Sequence, residues 1–409
     1  MTPRTRGRAS RVHVPRLNPE LREREAVKPL ELFFDLVFVL AFTQCTALMA
    51  ARSSWEGLAQ GMLVLALLWW AWAGYAWLTS VIEPEEGAVR LVMFGAMAAL
   101  LVVALCVPEA FEDRGLAFAA AYGVVRAAHV ILFLLASGTD HALRLAVAVL
   151  AIGGAIGVGL LAGAAYLDGA AQGALWGIAI AIDWTAPALF GISGWRLVPA
   201  HFAERHNLVI ILALGESIVA LGAGSEIDLD AGVVTAVVLG VALASALWWI
   251  YFDVVALMTA RRLALAPEGR ERNSMARDSY SYLHFPMVAG IVLAALGLEE
   301  TLAHVDESLD GPHAVALLGG VALYLLAHVA LRLRNAHTLN VQRLALALVL
   351  IALVPAAVEV PALAALAGVA AALWVMIAYE TATYDERRQR LRHGLDPDPA
   401  PGSQPHPPQ

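Results

Sequence analysis

Apolar runs of about 18 residues or more recur along the whole chain, and that is the length an α-helix needs to cross a bilayer. No other feature constrains the fold as strongly. Inside hydrocarbon each backbone donor and acceptor must be satisfied by the chain itself, which leaves helices or closed barrels. Runs of this length predict helices. Composition agrees: 60% of the 409 residues are hydrophobic and 15% are charged, against about a quarter charged in an ordinary soluble domain. The expectation is an all-α, polytopic membrane protein whose first partner is the lipid bilayer. The net charge of -8 is then a matter of topology and points to no acidic or basic partner. Cys45 and Cys106 both lie in apolar runs, where they read as small buried hydrophobes, with no disulfide framework or metal site.

Reading from breaker to breaker predicts twelve spans, near 30–50, 57–80, 89–108, 116–136, 143–165, 172–191, 205–223, 232–257, 279–298, 312–333, 342–359 and 361–381. The distribution of cations supports the count, because Lys and Arg accumulate on the cytoplasmic side of a membrane. With the N-terminus inside, 24 of the 27 Lys and Arg fall in cytoplasmic segments, Arg205 among them. Arg52 and Arg114 fall outside, and Arg126 lies within a span. The acidic loops at 112–114, 225–230 and 304–310 all fall outside. Both termini are therefore expected in the cytoplasm. Residues 1–28 carry eight basic side chains and no apolar core, so they form no cleavable signal peptide. They and the Pro-rich segment 382–409 read as disordered.

The two halves resemble each other. Trp69-Trp70 in the second span aligns without a gap on Trp248-Trp249 in the eighth. Phe94 to Phe111 aligns on Phe285 to Leu302, which places Glu109 on Glu300. The fifth and eleventh spans both open on Arg-Leu, at Arg144 and Arg343. The expectation is a first half at 29–191, a linker at 192–204 and a second half at 205–381. Six spans per half keep both halves in one orientation, and such parallel repeats are related by an axis along the membrane normal.

Three stretches carry a family resemblance: ELFFDLVFVLAFTQ (31–44), ERHNLVIILALGESIVALG (204–222) and HFPMVAGIVLAALGLEE (284–300). In this order and spacing the chain resembles the bacterial low temperature requirement A proteins over roughly residues 20–385. The resemblance implies a bacterial multi-pass protein of the cell membrane. It implies no substrate, cofactor or catalytic residue, so the functional candidates come from physical chemistry alone.

An ionisable side chain at mid-bilayer costs about 2.5–3.5 kcal/mol on insertion scales and needs a partner, water or an interface. Glu31 and Asp35 stand one turn apart on one face of the first span. The partial positive charge of a helix N-terminus favours Glu31; Asp35 lies roughly 6 Å deeper and needs something more. Glu216 sits in the middle of the seventh span between Gly215 and Ser217, a setting for close helix approach or local opening. Arg126 shares a face with Tyr122 and His129 in the fourth span, and its candidate counter-ions are Asp35, Asp183 and Glu216. Asp183 lies four residues before Pro187, which frees the Asp183 carbonyl and makes a kink or a cation site. His328 follows Tyr324 by one turn in the tenth span, and His284 and Asp253 lie toward the cytoplasmic third. The Trp-rich stretch 67–77 reads as an interfacial belt with packing, or as the wall of a pathway.

There is no phosphate-binding glycine loop, no HExxH, no paired CxxC and no basic-aromatic nucleic-acid module. No loop reaches about 25 residues, so a soluble catalytic domain has no room. The leading expectation is a secondary transporter, proton coupling included, of a small solute the sequence does not name. Glu216, Asp35, Asp183 and Arg126 are the ion or substrate candidates, Glu31 sits beside them, and no cofactor is expected. A membrane sensor or accessory protein is the second reading. An intramembrane lipid enzyme, with His129, His284 and His328 converging, is the third. Oligomeric state is not encoded in any of these features.

Overall fold

Side-chain caps start many of the helices. In the computed structural model, Ser54, Asp140, Asp230, Asp310 and Asn340 each accept a hydrogen bond from a backbone N–H of the turn they precede, which satisfies donors a helix leaves orphaned. The structure describes residues 26–85, 87–189, 195–223 and 230–392. The basic segment before residue 26, the acidic loop 224–229 and the tail from 393 lie outside the described residues. Fifteen α-helices follow: α1 Pro29–Ala51, α2 Trp55–Thr79, α3 Gly87–Cys106, α4 Gly115–Ala136, α5 His141–Ala164, α6 Gly169–Leu189, α7 Pro199–Ala223 and α8 Ala231–Phe252. Then come α9 Val255–Leu265, α10 Arg270–Met275, α11 His284–Ala303, α12 Gly311–Ala314, α13 Gly320–Ala336, α14 Val341–Ala357 and α15 Ala362–Arg392.

Among the described residues, nine helical stretches are long and apolar enough to cross a membrane. α14 is an apolar helix of 17 residues; α6 and α7 run for 21 and 25. The chain is a multi-pass membrane protein. Strong helix formers such as Glu, Gln and Arg carry α15 through 382–392, which was expected to belong to the disordered tail.

Two helices depart from simple α geometry. A π-helical segment at Ala276–Tyr282 joins α10 to α11. Pro286 has no N–H for the carbonyl four residues back, at Tyr282, and the His284 ring reaches the Ser279 carbonyl from Nδ1 at 2.8 Å. A second π segment, Val315–Gly319, leads into α13. There α11 and α13 lie so close that a Cβ on Gly290 would stand 2.5 Å from the Gly320 carbonyl oxygen. The expected eighth span also breaks: α8 ends at Phe252, and α9 restarts after Asp253 and Val254.

The core runs through α2, α11 and α13. Trp69, Trp70, Trp72 and Trp77 are all buried, so the stretch is no lipid-facing belt. Their indole edges explain why polar-tipped rings lie inside. Trp69 Nε1 donates to the Ser281 carbonyl at 2.7 Å, Trp77 Nε1 to Ser281 Oγ at 2.9 Å and Trp72 Nε1 to Asp35 Oδ1 at 2.9 Å. Trp70 stacks on Trp184 and Tyr282. The aligned Trp248 is 46% exposed, so the doubled Trp sits in two different environments.

Candidate functional site

Glu31 and Asp35 occupy one buried cluster with Arg205 and His201 of α7. Arg205 Nη1 donates to Glu31 Oε1 and to Thr79 Oγ1, both at 3.0 Å, and Arg205 Nη2 donates to Asp35 Oδ1 at 2.6 Å. His201 Nε2 lies 2.9 Å from Glu31 Oε1. As the helix-terminus argument required, Glu31 Oε2 also accepts the Lys28 backbone N–H at 2.8 Å. Glu31, Asp35, His201 and Arg205 are all 0% exposed, and the cluster ties α1, α2 and α7 together. Counting cations by side puts Arg205 in a cytoplasmic segment, and the structure buries it against these carboxylates. α7 begins at Pro199, so Arg205 lies about 1.7 turns into the helix, on its buried face. The signal for it is the matching period: His201 and Arg205 are four apart, as are Glu31 and Asp35, so a His/Arg pair faces a Glu/Asp pair.

Arg126 finds the second of its three candidate partners. Its Nη2 stands 2.8 Å from Asp183 Oδ1, joining α4 to α6, and both side chains are buried. Gly154 of α5 makes the room, since a Cβ there would meet Arg126 Nη2 at 3.1 Å. Pro187 lies inside α6, and carbonyls beside it receive donors from the π segment. Tyr282 Oη donates to the Trp184 carbonyl at 2.6 Å and Arg277 Nη1 to the Pro187 carbonyl at 3.3 Å.

Glu216 stands apart from both ion-pair clusters. It is 2% exposed on α7, and Thr43 Oγ1 of α1 donates to its Oε2 at 2.5 Å. Among the described residues no cation pairs with it, and Glu299 of α11 is an acidic neighbour. Thr43 Oγ1 also lies 3.1 Å from the Val39 carbonyl. One hydroxyl proton thus has two acceptors and serves one at a time. The expectation of close helix approach at Gly215 is not met, because a Cβ there would meet nothing within 4 Å. Close glycines lie elsewhere, Gly290, Gly297 and Gly320 among them.

Histidines gather on the other side of α7. His206, which periodicity alone does not single out, packs edge-on to His284 with ring centroids 5.3 Å apart. Tyr251 Oη lies 2.8 Å from both His284 Nε2 and Asn207 Oδ1. The rings of Tyr251 and His328 are 6.1 Å apart, so one tyrosine touches two of the predicted histidines. His206, His284 and His328 each place Nδ1 2.8 Å from a backbone carbonyl. A carbonyl only accepts, so each Nδ1 carries hydrogen and each neutral ring keeps its lone pair on Nε2. His129 joins neither: its ring contacts are with Tyr75 and Phe133, in a space that a Cβ on Gly74 would invade at 2.8 Å. Asp253 lines a separate cavity with His328. Among the described residues no group of three or more His, Cys, Asp or Glu is arranged to hold a metal ion.

Residues 26–378 match the family model described as Bacterial low temperature requirement A protein. The chain belongs to that family. The low temperature requirement A match covers all three sequence stretches and each helix of the site. An uncharacterized protein of Rhizobium meliloti (strain 1021) is 29% identical over 306 residues, covering 72% of this chain and 74% of the relative. No solved structure matches the chain.

Proposed function

We propose that the protein is a cation-coupled secondary transporter in the bacterial cytoplasmic membrane, with Glu216 as the residue that binds and releases the coupling proton. The observation that carries this reading is Glu216 itself, a buried carboxylate that accepts from the Thr43 hydroxyl. That hydroxyl suits both charge states. With Glu216 ionised, Thr43 donates to the carboxylate. With Glu216 protonated, the carboxyl donates to Thr43 Oγ1 and the hydroxyl turns its own proton to the Val39 carbonyl. No buried donor is stranded in either state. The Glu299 charge on α11 adds attraction for a proton or small cation at the same place.

Helix packing supports the reading in part. The neighbours recur between the halves: α1 packs on α3 as α7 does on α11, α3 on α4 as α11 on α13, and α4 on α5 as α13 on α14. This fits a six-plus-six repeat in which α6, α7 and α14 complete twelve spans with both ends in the cytoplasm. Glu216 and Thr43 would then lie on the seam between halves, where parallel-repeat transporters move. The remaining candidates take a supporting role. Arg126–Asp183 and the Glu31–Asp35–Arg205–His201 cluster hold their charges in direct pairs, and those pairs fasten helices.

The test is flux. Purified protein in liposomes, on a solid-supported electrode and with an internal pH dye, is challenged with pH jumps and a metabolite panel. Wild-type current or proton movement that disappears in Glu216→Gln, with folded protein retained, supports the assignment. Equal flux in both removes Glu216 from the mechanism. Silence in both favours a membrane sensor or accessory protein, the reading that helix-fastening ion pairs suit.

A further inference from the structure

A cavity of about 230 Å³ opens among the end of α8, the start of α9, α13, α14 and α15. It is separate from the Glu216 region. Its lining includes Arg262, Arg332 and Arg343 against Asp253 and Glu380, an excess of one guanidinium over the carboxylates. Glu380 is fully engaged: Arg343 Nε and Nη2 donate to its two oxygens at 3.0 and 2.9 Å, and Asn340 Nδ2 adds a third bond at 3.1 Å. Arg332 makes no ion pair with a carboxylate among the described residues, and its Nε donates to Thr338 Oγ1 at 3.0 Å. Its terminal nitrogens remain for an anion.

His328 supplies the second, independent observation. It is 2% exposed and lines the cavity. Its Nδ1 is tied back to the Tyr324 carbonyl at 2.8 Å, which leaves Nε2 as the ring's free acceptor. That nitrogen is buried and has no hydrogen-bond partner among the described residues. A buried acceptor without a donor is unfavourable, and a ligand donor would relieve it. Trp249, Met258, Leu331 and Ile377 give the same cavity apolar walls.

We infer that this cavity binds a monoanionic phosphodiester whose head group carries a hydroxyl or ammonium donor. The phosphate meets the Arg332 guanidinium, whose fork matches paired oxygens, and the head-group donor reaches His328 Nε2. Two sources share this chemistry: a phospholipid, with its chains along the apolar walls, and a free phosphodiester.

The experiment measures binding to the delipidated full chain by native mass spectrometry. The probes are phosphatidylglycerol, phosphatidylmethanol (the same charge without the donor) and glycerophosphoglycerol (the same head without chains). Wild type is expected to bind phosphatidylglycerol, more weakly as salt rises, and to prefer it over phosphatidylmethanol by about threefold or more. Arg332→Gln, at an exposed position, weakens phosphatidylglycerol about tenfold. His328→Phe abolishes the preference over phosphatidylmethanol. Comparable binding of glycerophosphoglycerol identifies a free phosphodiester as the ligand, and its failure identifies the lipid. Unchanged binding in Arg332→Gln, absent binding of every probe, or no preference in wild type overturns the inference.

Discussion

Arg205 Nη2 stands 2.6 Å from Asp35 Oδ1, and neither side chain has any exposed surface. One guanidinium on α7 therefore serves both carboxylates of α1. Removing one member of a buried ionic set strands the others and costs about 3–5 kcal/mol. Arg205→Met is expected to lower the thermal midpoint of detergent-solubilised protein sharply. Adding Glu31→Gln and Asp35→Asn to it should recover much of the loss, since the stranded charges are then gone. A midpoint unmoved by Arg205→Met would show that the cluster does not hold α1 to α7.

The Arg126–Asp183 pair allows a cleaner experiment, because the two side chains meet directly at 2.8 Å. Arg126→Met and Asp183→Leu should each destabilise, by about 3 kcal/mol. The double variant should lose less than the sum, with a coupling of about 0.5–3 kcal/mol. Strict additivity in unfolding measurements would mean that the pair contributes no specific interaction.

The demand for partners was legible in the sequence, and the partners were only partly so. Asp35 lies too deep for a helix-end explanation, and Arg126, the one basic residue deep in a span, required an anion. Both requirements follow from the cost of charge in hydrocarbon. Asp183 was among the candidates for Arg126, but three acids competed and depth alone did not separate them. Arg205 was hidden because counting cations by side treats any Arg near a helix end as solvated, whereas α7 extends six residues earlier than the apolar run. The break at Asp253 and the π segment before His284 were hidden for a related reason. Hydropathy reports burial over a window, and backbone hydrogen-bond register is invisible to it. Thr43 gave no signal at all, since a hydroxyl in a membrane helix ordinarily bonds its own backbone.

Glycine positions predict opposite outcomes for one kind of substitution. A Cβ on Gly290 would lie 2.5 Å from the Gly320 carbonyl oxygen and 2.8 Å from the Tyr324 amide nitrogen. Both are backbone atoms, so α11 and α13 must separate, and small residues at such crossings are what let membrane helices approach. Gly290→Ala should cost about 1–3 kcal/mol. Gly215→Ala on α7 adds a Cβ into open space and should be neutral or stabilise by up to about 1 kcal/mol. Comparable losses from both variants would refute the close crossing.

Acid should loosen the segment that joins α11 to α12. Asp310 caps α12, accepting from the His313 backbone N–H at 2.9 Å, from His313 Nδ1 at 2.8 Å and from Ser53 Oγ. Partial burial pushes its carboxyl upward, but these bonds outweigh it and hold the pKa below the ordinary 3.8. A depressed carboxyl stabilises the folded state fully above its unfolded value, and that contribution disappears as pH falls through the folded one. Wild type should therefore lose stability as pH drops below 3.8 by more than Asp310→Asn does, while the variant starts from a lower midpoint at neutral pH. Unfolding midpoints of the two proteins across that range decide it. Parallel curves would mean that ionised Asp310 adds nothing to the folded state.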